Sequence, residues 1–169
     1  MQAIRAAQSS EDFFTFAGLV REYTDWSRER WSDMGSIVDD FFDHQSLDDE
    51  LKSVSHSYTP PNGLALLAFE DEIGIGCGAL HRLDDKTCEF KRVFVRTRKQ
   101  RTGTGRRLCQ ELISQAKAQS FSVVKLDTDV RSFEAIALYE SMGFVRCAPY
   151  VEYPPQFAPH MVFMQLANR

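Results

Sequence analysis

The sequence predicts an α/β domain that spans residues 1–169, with a mixed, mostly antiparallel sheet of about seven strands flanked by about four helices. The first observation behind this class is that residues 64–95 hold three β-rich runs separated by short turns, which is typical of consecutive antiparallel strands. The second is that residues 105–142 alternate helical spacing with one compact apolar run, which is typical of a β-α-β-α unit. A chain of 169 residues is long enough to bury one core and short for two domains.

The N-terminal part predicts one strand and two helices. Residues 3–6 form a short strand pattern, and Ser9 and Asp12 then match the capping box that opens an amphipathic helix. A second, shorter helix is predicted near residues 47–54, where a serine cap and early acids precede a lysine. Between these helices, residues 26–43 are acidic and aromatic, which fits a loop or broken helix that lines a cleft and also fits plain solvated surface.

The rest of the chain predicts the sheet and two further helices. Turn residues bound each run, and Gly143 ends the last helix. In chain order the predicted elements are strands at 64–69, 74–83 and 87–95, a helix at 105–119, a strand at 123–128, a helix at 132–142, and strands at 145–150 and 161–166. A proline-rich connection separates the last two strands.

The overall charge limits the classes of partner. The formal net charge is -4 at pH 7, which argues against general binding to nucleic acid or to anionic membranes, and we expect neither as a partner. Six arginines and lysines nevertheless lie between Arg96 and Arg107, so we expect this basic segment to face a small local anion. The absence of an apolar leader or long apolar run predicts a cytoplasmic protein. A monomer and a homodimer are both compatible with the sequence.

The cysteines and histidines do not form a metal-binding pattern. Neither residue type shows the close pairs that metal sites need, so we predict no bound metal. Small buried apolar side chains are a better interpretation of the cysteines than a disulfide framework. The cysteines are Cys77, Cys88, Cys109 and Cys147.

A turn with two glycines, Gly103 and Gly105, joins a predicted strand to a predicted helix. The unpaired backbone N–H groups and the positive dipole end of such a helix bind phosphate oxygens. A nucleotide triphosphatase loop would need lysine and Ser/Thr next, where Arg106 and Arg107 stand. A dinucleotide fingerprint would need glycine where Leu108 stands, so both of these phosphate loops are excluded.

Two motifs make the sequence resemble the GCN5-related N-acetyltransferase (GNAT) family. The stretch Gln100-x-x-Gly103-x-Gly105 is similar to the family's pyrophosphate loop, Gln/Arg-x-x-Gly-x-Gly/Ala. The stretch "AIALYESMGF" matches the family's Ala-x-x-Leu-Tyr-x-x-x-Gly-Phe signature at Ala135, Leu138, Tyr139, Gly143 and Phe144. The resemblance runs from about Leu64 to the C-terminus. It implies an acetyltransferase that uses acetyl-coenzyme A (acetyl-CoA), with a sheet split near its fourth and fifth strands.

The resemblance also implies which residues hold acetyl-CoA. The backbone of Val93, Phe94 and Val95 would pair with the pantetheine arm as an added strand does. The loop residues expected at the pyrophosphate are Gln100, Arg101, Thr102, Gly103, Thr104, Gly105 and Arg106. Ser132 stands where the family often has an asparagine that touches the pantetheine or the acceptor, and a serine can donate the same hydrogen bond but reaches less far.

Catalysis by the family needs a proton acceptor and a proton donor, because the attacking amine must be neutral and the departing thiolate gains from a proton. By position in the family pattern, Glu89 is the candidate base. Glu89 also has a structural interpretation, as a partner of Lys91 or Arg92, and His81 or a water chain is the alternative base. Tyr139 is the candidate acid, in the signature of the last helix.

The acceptor is left open by the sequence. The acidic and aromatic residues 26–50, together with Tyr150, Glu152 and Tyr153, favour a small cationic amine or an amino-acid-like compound. A protein lysine or N-terminus is the alternative acceptor, and a coenzyme A-binding module without chemistry is the alternative to an enzyme. Binding of single-stranded nucleic acid ranks last, because Phe94 alone could stack within the basic segment.

Overall fold

A seven-stranded mixed sheet forms the centre of the protein in the computed structural model, which describes residues 2–167. The strands are β1 (Gln2–Ala6), β2 (Gly63–Glu70), β3 (Ile73–Arg82), β4 (Thr87–Val95), β5 (Val123–Asp129), β6 (Val145–Arg146) and β7 (Met161–Ala167). They lie in the order β1-β2-β3-β4-β5-β7-β6. The β4 and β5 strands are parallel and the other neighbours are antiparallel, so the predicted fold class is confirmed.

Six α-helices flank the sheet in the described part of the chain, where the sequence predicted about four. The helices are α1 (Ser10–Arg30), α2 (Ile37–His44), α3 (Leu47–Lys52), α4 (Val54–Ser57), α5 (Thr104–Ala118) and α6 (Phe133–Ser141). The difference arises before β2, where Ser53 leaves the helical conformation and divides the predicted second helix into α3 and α4. The acidic and aromatic segment is the broken helix: α1 runs on to Arg30, and a 3-10 turn and α2 follow.

The predicted strand at 145–150 is wrong in length, because only Val145 and Arg146 pair with β7. The N–H of Cys147 still bonds to the carbonyl of Phe163, and the chain then reaches Pro149. Proline has no N–H to give to a strand ladder, so regular pairing ends before it. The chain after Pro149 therefore leaves the edge of the sheet and crosses its face, where Tyr150 contacts Phe163 and Tyr153 contacts Asp127.

The two faces of the sheet carry separate apolar clusters. On one face α5 packs its buried Leu108 and Leu112 against β3 and β4, in the same cluster as Val124 and Leu126 of β5. On the other face α1 to α4 cover β2 and β3, with Phe16 fully buried. The predicted capping box fixes the start of α1, since the Asp12 N–H donates to Ser9 Oγ at 3.1 Å.

β4 and β5 pair only over their first residues and then separate. The last paired register is Glu89 with Lys125. On the other side of β4, the single residue Gly78 of β3 lies opposite both Arg92 and Val93, which makes a bulge, and Arg92 has φ 56°. A bulge bends its strand and increases the local twist, so β4 turns away from β5. The predicted split of the sheet therefore has a local cause.

Candidate active site

The glycine-bearing turn forms a backbone cradle between β4 and α5. Arg101 and Gly103 have φ 62° and 85°, which turns the chain sharply before the helix. Gly103 is the N-cap residue and has no side chain to cap the helix, so the first N–H groups of α5 receive no side-chain cap from it. Gln100 holds the start of the turn in place, because its Nε2 donates to the carbonyl of Val95 at 3.0 Å.

Hydroxyl groups brace this cradle from behind. Thr102 Oγ1 donates to the carbonyl of Lys99 at 2.7 Å and lies 2.9 Å from Thr104 Oγ1. Thr104 is buried, and its hydroxyl donates to Gln2 Oε1 on β1 at 3.2 Å. The two threonines therefore fix the loop to neighbouring structure and leave its backbone to meet a ligand.

Part of the positive charge of the basic segment is used inside the protein. Arg96 forms a two-point pair with Glu22 on α1, and Lys99 pairs with Glu70 on β2. Arg98 is exposed beside the cradle. The positive electrostatic field at the turn around Gly103 is therefore weaker than the sequence alone indicates. The N-terminus of α5 contributes a larger share of that field.

A cavity of about 190 Å³ occupies the gap between the separated strands. Residues 91–93 of β4 form one side of it and residues 127–129 of β5 form the other. Tyr139 and Ser132 line it from α6 and the start of that helix. The cavity therefore joins the predicted coenzyme strand, the candidate acid and the serine at the pantetheine position.

The face of the cavity that comes from α1, α2 and the C-terminal connection is an aromatic wall. The aromatic wall consists of Trp26, Trp31, Phe41, Phe42 and Phe157. Neighbouring rings meet edge to face: Trp26 and Trp31 at 5.7 Å, and Phe41 and Phe157 at 5.4 Å between centroids. Such contacts hold the rings in fixed orientations.

The acids of the same segment point elsewhere. Asp39 pairs with Arg28 at 2.5 Å and Asp33 pairs with Arg131 at 2.9 Å, both at the surface. Asp43 is exposed. The acidic and aromatic segment thus lines a cavity, which was one of its two predicted interpretations. Its aromatic side chains form the lining, whereas these acids lie at the surface.

Tyr139 is suited to donate a proton. Its ring is buried between Phe90 and Phe144, with centroids at 6.4 and 5.7 Å, and its side chain lines the cavity. Burial, reinforced by Cys109 and Tyr23, raises the pKa of Tyr139 well above its usual value. The hydroxyl therefore keeps its proton near neutral pH.

Glu89 lies at the closed end of the gap, with donors around it. Glu89 Oε1 accepts from His81 Nδ1 at 3.0 Å and lies 3.9 Å from Lys91 Nζ, and Oε2 accepts from Tyr150 at 3.1 Å. Burial alone would raise the pKa of Glu89, but the bonds from His81 and Tyr150 and the charge of Lys91 outweigh it and lower the pKa. The described β4 residues that line the cavity begin at Lys91, one position beyond Phe90.

Asp127 lines the cavity from β5, and sequence reasoning missed it. Its Oδ2 accepts from the hydroxyl of Tyr153 at 2.6 Å, and that hydroxyl accepts from Gln45 Nε2 at 3.2 Å. Burial raises the pKa of Asp127, and the charge of Lys91 and the bond from Tyr153 offset this only in part. The available signal was an acid inside the apolar strand "VVKLDT".

Arg92 forms a second network that the sequence did not predict. Its guanidinium is buried and binds both oxygens of Glu50 at 3.0 and 2.7 Å, while Nη1 donates to Gln45 at 2.7 Å. Burial opposes the charge of Arg92, yet Glu50 outweighs it and the pKa of Arg92 is raised. Of the two structural partners predicted for Glu89, Lys91 is the one that lies near it, whereas Arg92 binds Glu50 of α3.

Two further properties concern the described residues 2–167. Within them, no group of three or more His, Cys, Asp or Glu is placed to hold a metal ion, and no helix is both long and apolar enough to cross a bilayer. Cys77, Cys88 and Cys109 are buried, and Cys147 is partly exposed.

Comparison with known proteins identifies the family. The sequence model of the family described as "Acetyltransferase (GNAT) family" matches residues 19–144. An uncharacterised N-acetyltransferase of Schizosaccharomyces pombe is 33% identical over 167 residues, which cover 97% of this chain and 93% of that protein. The chain belongs to the GNAT family of acetyltransferases.

Solved structures of the GNAT fold superpose on nearly the whole chain. An acetyltransferase from Streptococcus agalactiae has a TM-score of 0.77 at 18% identity, over 98% of both chains. The PaiA N-acetyltransferase of Thermoplasma acidophilum, solved in complex with coenzyme A, has a TM-score of 0.71 at 19% identity, over 99% of both chains. The protein is thus an N-acetyltransferase that uses acetyl-CoA. The residues present fit this cosubstrate, since the splayed part of β4 lines the cavity and the uncapped turn at Gly103 follows the end of that strand.

Proposed function

We propose that the protein transfers the acetyl group of acetyl-CoA to the amine of a small molecule. The observation that carries this proposal is the closure of the cavity by the connection between β6 and β7. Tyr153 stacks on Phe41 at 5.5 Å and Phe157 meets the same ring at 5.4 Å, so this connection is fastened to α2. A lysine within a protein chain needs an open groove on both sides, and this contact takes that room away.

The residues that would hold the cosubstrate follow the sequence prediction. The N–H groups from Arg101 to Arg106 would bind the pyrophosphate, with Gln100 and the threonines bracing the turn. The backbone of β4 from Val93 to Val95 would pair with the pantetheine arm, and its N–H groups would meet the acetyl oxygen as negative charge develops there. Ser132 lines the same cavity.

Tyr139 would give its proton to the departing sulfur, which is supported by its place in the cavity and its raised pKa. Glu89 stays the sequence-based hypothesis for the base. His81 touches Glu89 and has a half-exposed side chain, so a relay through His81 would connect this carboxylate to solvent.

A product search tests the proposed function. The protein is incubated with acetyl-CoA and a pool of amines, amino acids and lysine-containing peptides, and mass spectrometry detects products heavier by one acetyl group. We expect products among the small amines. Acetylated peptides with unmodified small amines would overturn the proposal. Gly103→Glu is the control, because an anion in the cradle repels phosphate and should abolish binding of coenzyme A and all products.

A further inference from the structure

The charges around the cavity indicate what kind of group it receives. Arg92 is matched by the two oxygens of Glu50. Asp129 is engaged in a turn, where its Oδ1 accepts from the N–H of Arg131 at 2.7 Å. Asp127 remains as the carboxylate that lines the cavity with a hydroxyl donor, Tyr153, and the charge of Lys91, which lines the same cavity, acts on it. A carboxylate in this setting favours a cationic or proton-giving group over an anion.

Asp127 lies across the gap from Val93, the first of the β4 residues that the sequence predicts to hold the coenzyme. Glu89 faces Lys125 at the last paired register, and Asp127 lies two residues further along β5, on the same face as Lys125. From there on β4 and β5 no longer pair, and the coenzyme strand at Val93 stands across the gap. Asp127 is therefore on the open side of the point where the strands separate.

The aromatic wall indicates what kind of molecule carries the cationic or proton-giving group. Trp31, Phe42 and Phe157 are each less than 9% exposed. Contacts with Trp26 and Phe41 hold these rings in place without a ligand. A cavity of 190 Å³ exceeds by little the space of about 150 Å³ that an apolar cavity needs for one benzene ring. One flat ring beside the acetyl group fills such a space, and a polyamine would leave the wall without a partner.

We propose that the acceptor is a primary amine carried on a single aromatic ring, that the ring packs on the aromatic wall, and that Asp127 receives the proton of the amine. This proposal rests on the proposed function. The amine binds in its neutral form, after its ammonium proton has gone to solvent. Its nitrogen then forms a bond to the acetyl carbon as the bond from that carbon to the coenzyme A sulfur breaks. Asp127 takes the proton that the nitrogen loses, Tyr139 gives one to the sulfur, and both exchange protons with water afterwards.

An acceptor panel tests the ring. We expect kcat/KM for 2-phenylethylamine to exceed that for n-propylamine, spermidine and a lysine-containing peptide by at least about 10-fold, since burying one ring supplies this much. Phe41→Leu should reduce the ratio between 2-phenylethylamine and n-propylamine, and Phe14→Leu, at an exposed position on α1, should not. Equal rates for 2-phenylethylamine and n-propylamine, or a preference for spermidine, would overturn the proposal while leaving acetyl transfer to small amines in place. If no amine is acetylated although coenzyme A binds, the proposed function and this proposal both fail.

A pair of isosteric variants tests the carboxylate. Asp127→Asn should lower kcat by about 100-fold at neutral pH, with recovery at high pH where the amine is already neutral. Glu89→Gln should lower kcat less and should leave the shape of the pH profile unchanged. Calorimetric binding of coenzyme A, expected to be the same in both variants and the parent, shows that the cradle is intact. The reverse result, a large loss in Glu89→Gln and an unchanged pH profile in Asp127→Asn, would overturn the assignment of Asp127.

Discussion

Glu89 and Asp127 lie on adjacent strands and on the same face of the sheet, one on each side of the point where β4 and β5 separate. At the closed end, Glu89 accepts bonds from His81 and Tyr150 and its pKa is lowered. At the open end, Asp127 lines the cavity and its pKa is raised. The two carboxyls differ in how many donors the local strand geometry supplies. Where the strands diverge, the structure thus has one carboxyl surrounded by donors at the closed end and one that lines the cavity at the open end.

The largest effect on stability is expected at the open end, where Arg92 lines the cavity and Glu50 neutralises its charge. Glu50→Ala should lower the free energy of unfolding by about 3–5 kcal/mol, because a buried guanidinium would lose its charge partner. Urea unfolding measures the change. Asp49→Ala is the matched control, since Asp49 on the same helix is 79% exposed and its loss should cost less than about 0.5 kcal/mol. Similar losses in both variants would show that the Arg92 network is not a buried pair.

The next effect separates chemistry from binding at the open end. Tyr139→Phe should lower kcat by about 100-fold, because the sulfur loses its proton donor. The dissociation constant for coenzyme A should stay within about two-fold, since the packed ring is retained. Steady-state turnover assays measure kcat, and calorimetry measures the dissociation constant for coenzyme A. Equal losses of rate and affinity would remove Tyr139 from the role of acid.

Falling pH should change stability with opposite signs at the two ends: the contribution of Glu89 is lost and that of Asp127 increases. Because the pKa of Glu89 is lowered in the fold, its contribution to stability is present above the unfolded value of about 4.3 and is lost as the pH falls through the lower folded value. Glu89→Gln should therefore lower the free energy of unfolding at pH 7 by about 1–3 kcal/mol.

Asp127→Asn provides the contrast in the same experiment. The raised pKa of Asp127 has the opposite sign, so its contribution is lost as the pH rises, and this variant should be as stable as the parent at pH 7 or more stable. Unfolding curves at pH 7 and at lower pH measure both variants. A gap between parent and Glu89→Gln that persists at low pH would contradict the lowered pKa of Glu89.

The smallest effects concern two glycines of the coenzyme cradle. Gly105→Ala should stabilise the protein by about 0.5–1 kcal/mol, because a methyl group there meets Val95 and Leu138 at an ordinary 3.8 and 3.9 Å and alanine favours the helix. Gly103→Ala should destabilise it by about 1 kcal/mol, because φ is 85°. Thermal unfolding without ligand measures both changes, and the same sign for both would contradict the turn geometry.

The turn at Gly103 and the helix that carries Tyr139 were predictable because each is contiguous in the sequence. The loop at Gly103 and the signature around Tyr139 each lie within one short stretch, and backbone geometry fixes what such a stretch does. The contacts around the cavity were not predictable, because they join distant segments: Arg92 to Glu50, and Tyr153 to Asp127. Asp127 is one acid among many in the sequence, and only the separation of β4 from β5 distinguishes it.

The places of the cysteines decide how turnover can be followed. Burial raises the pKa of Cys88 and Cys109 to about 12 and that of Cys77 further still, so their reactive thiolate form is scarce in the folded protein. Cys147 is more accessible and forms a fixed background. A thiol-reactive dye would therefore report each coenzyme A released against that constant signal. The three buried thiols would react with the dye only after local unfolding of the sheet exposes them, so the same dye would also measure the rate of local unfolding.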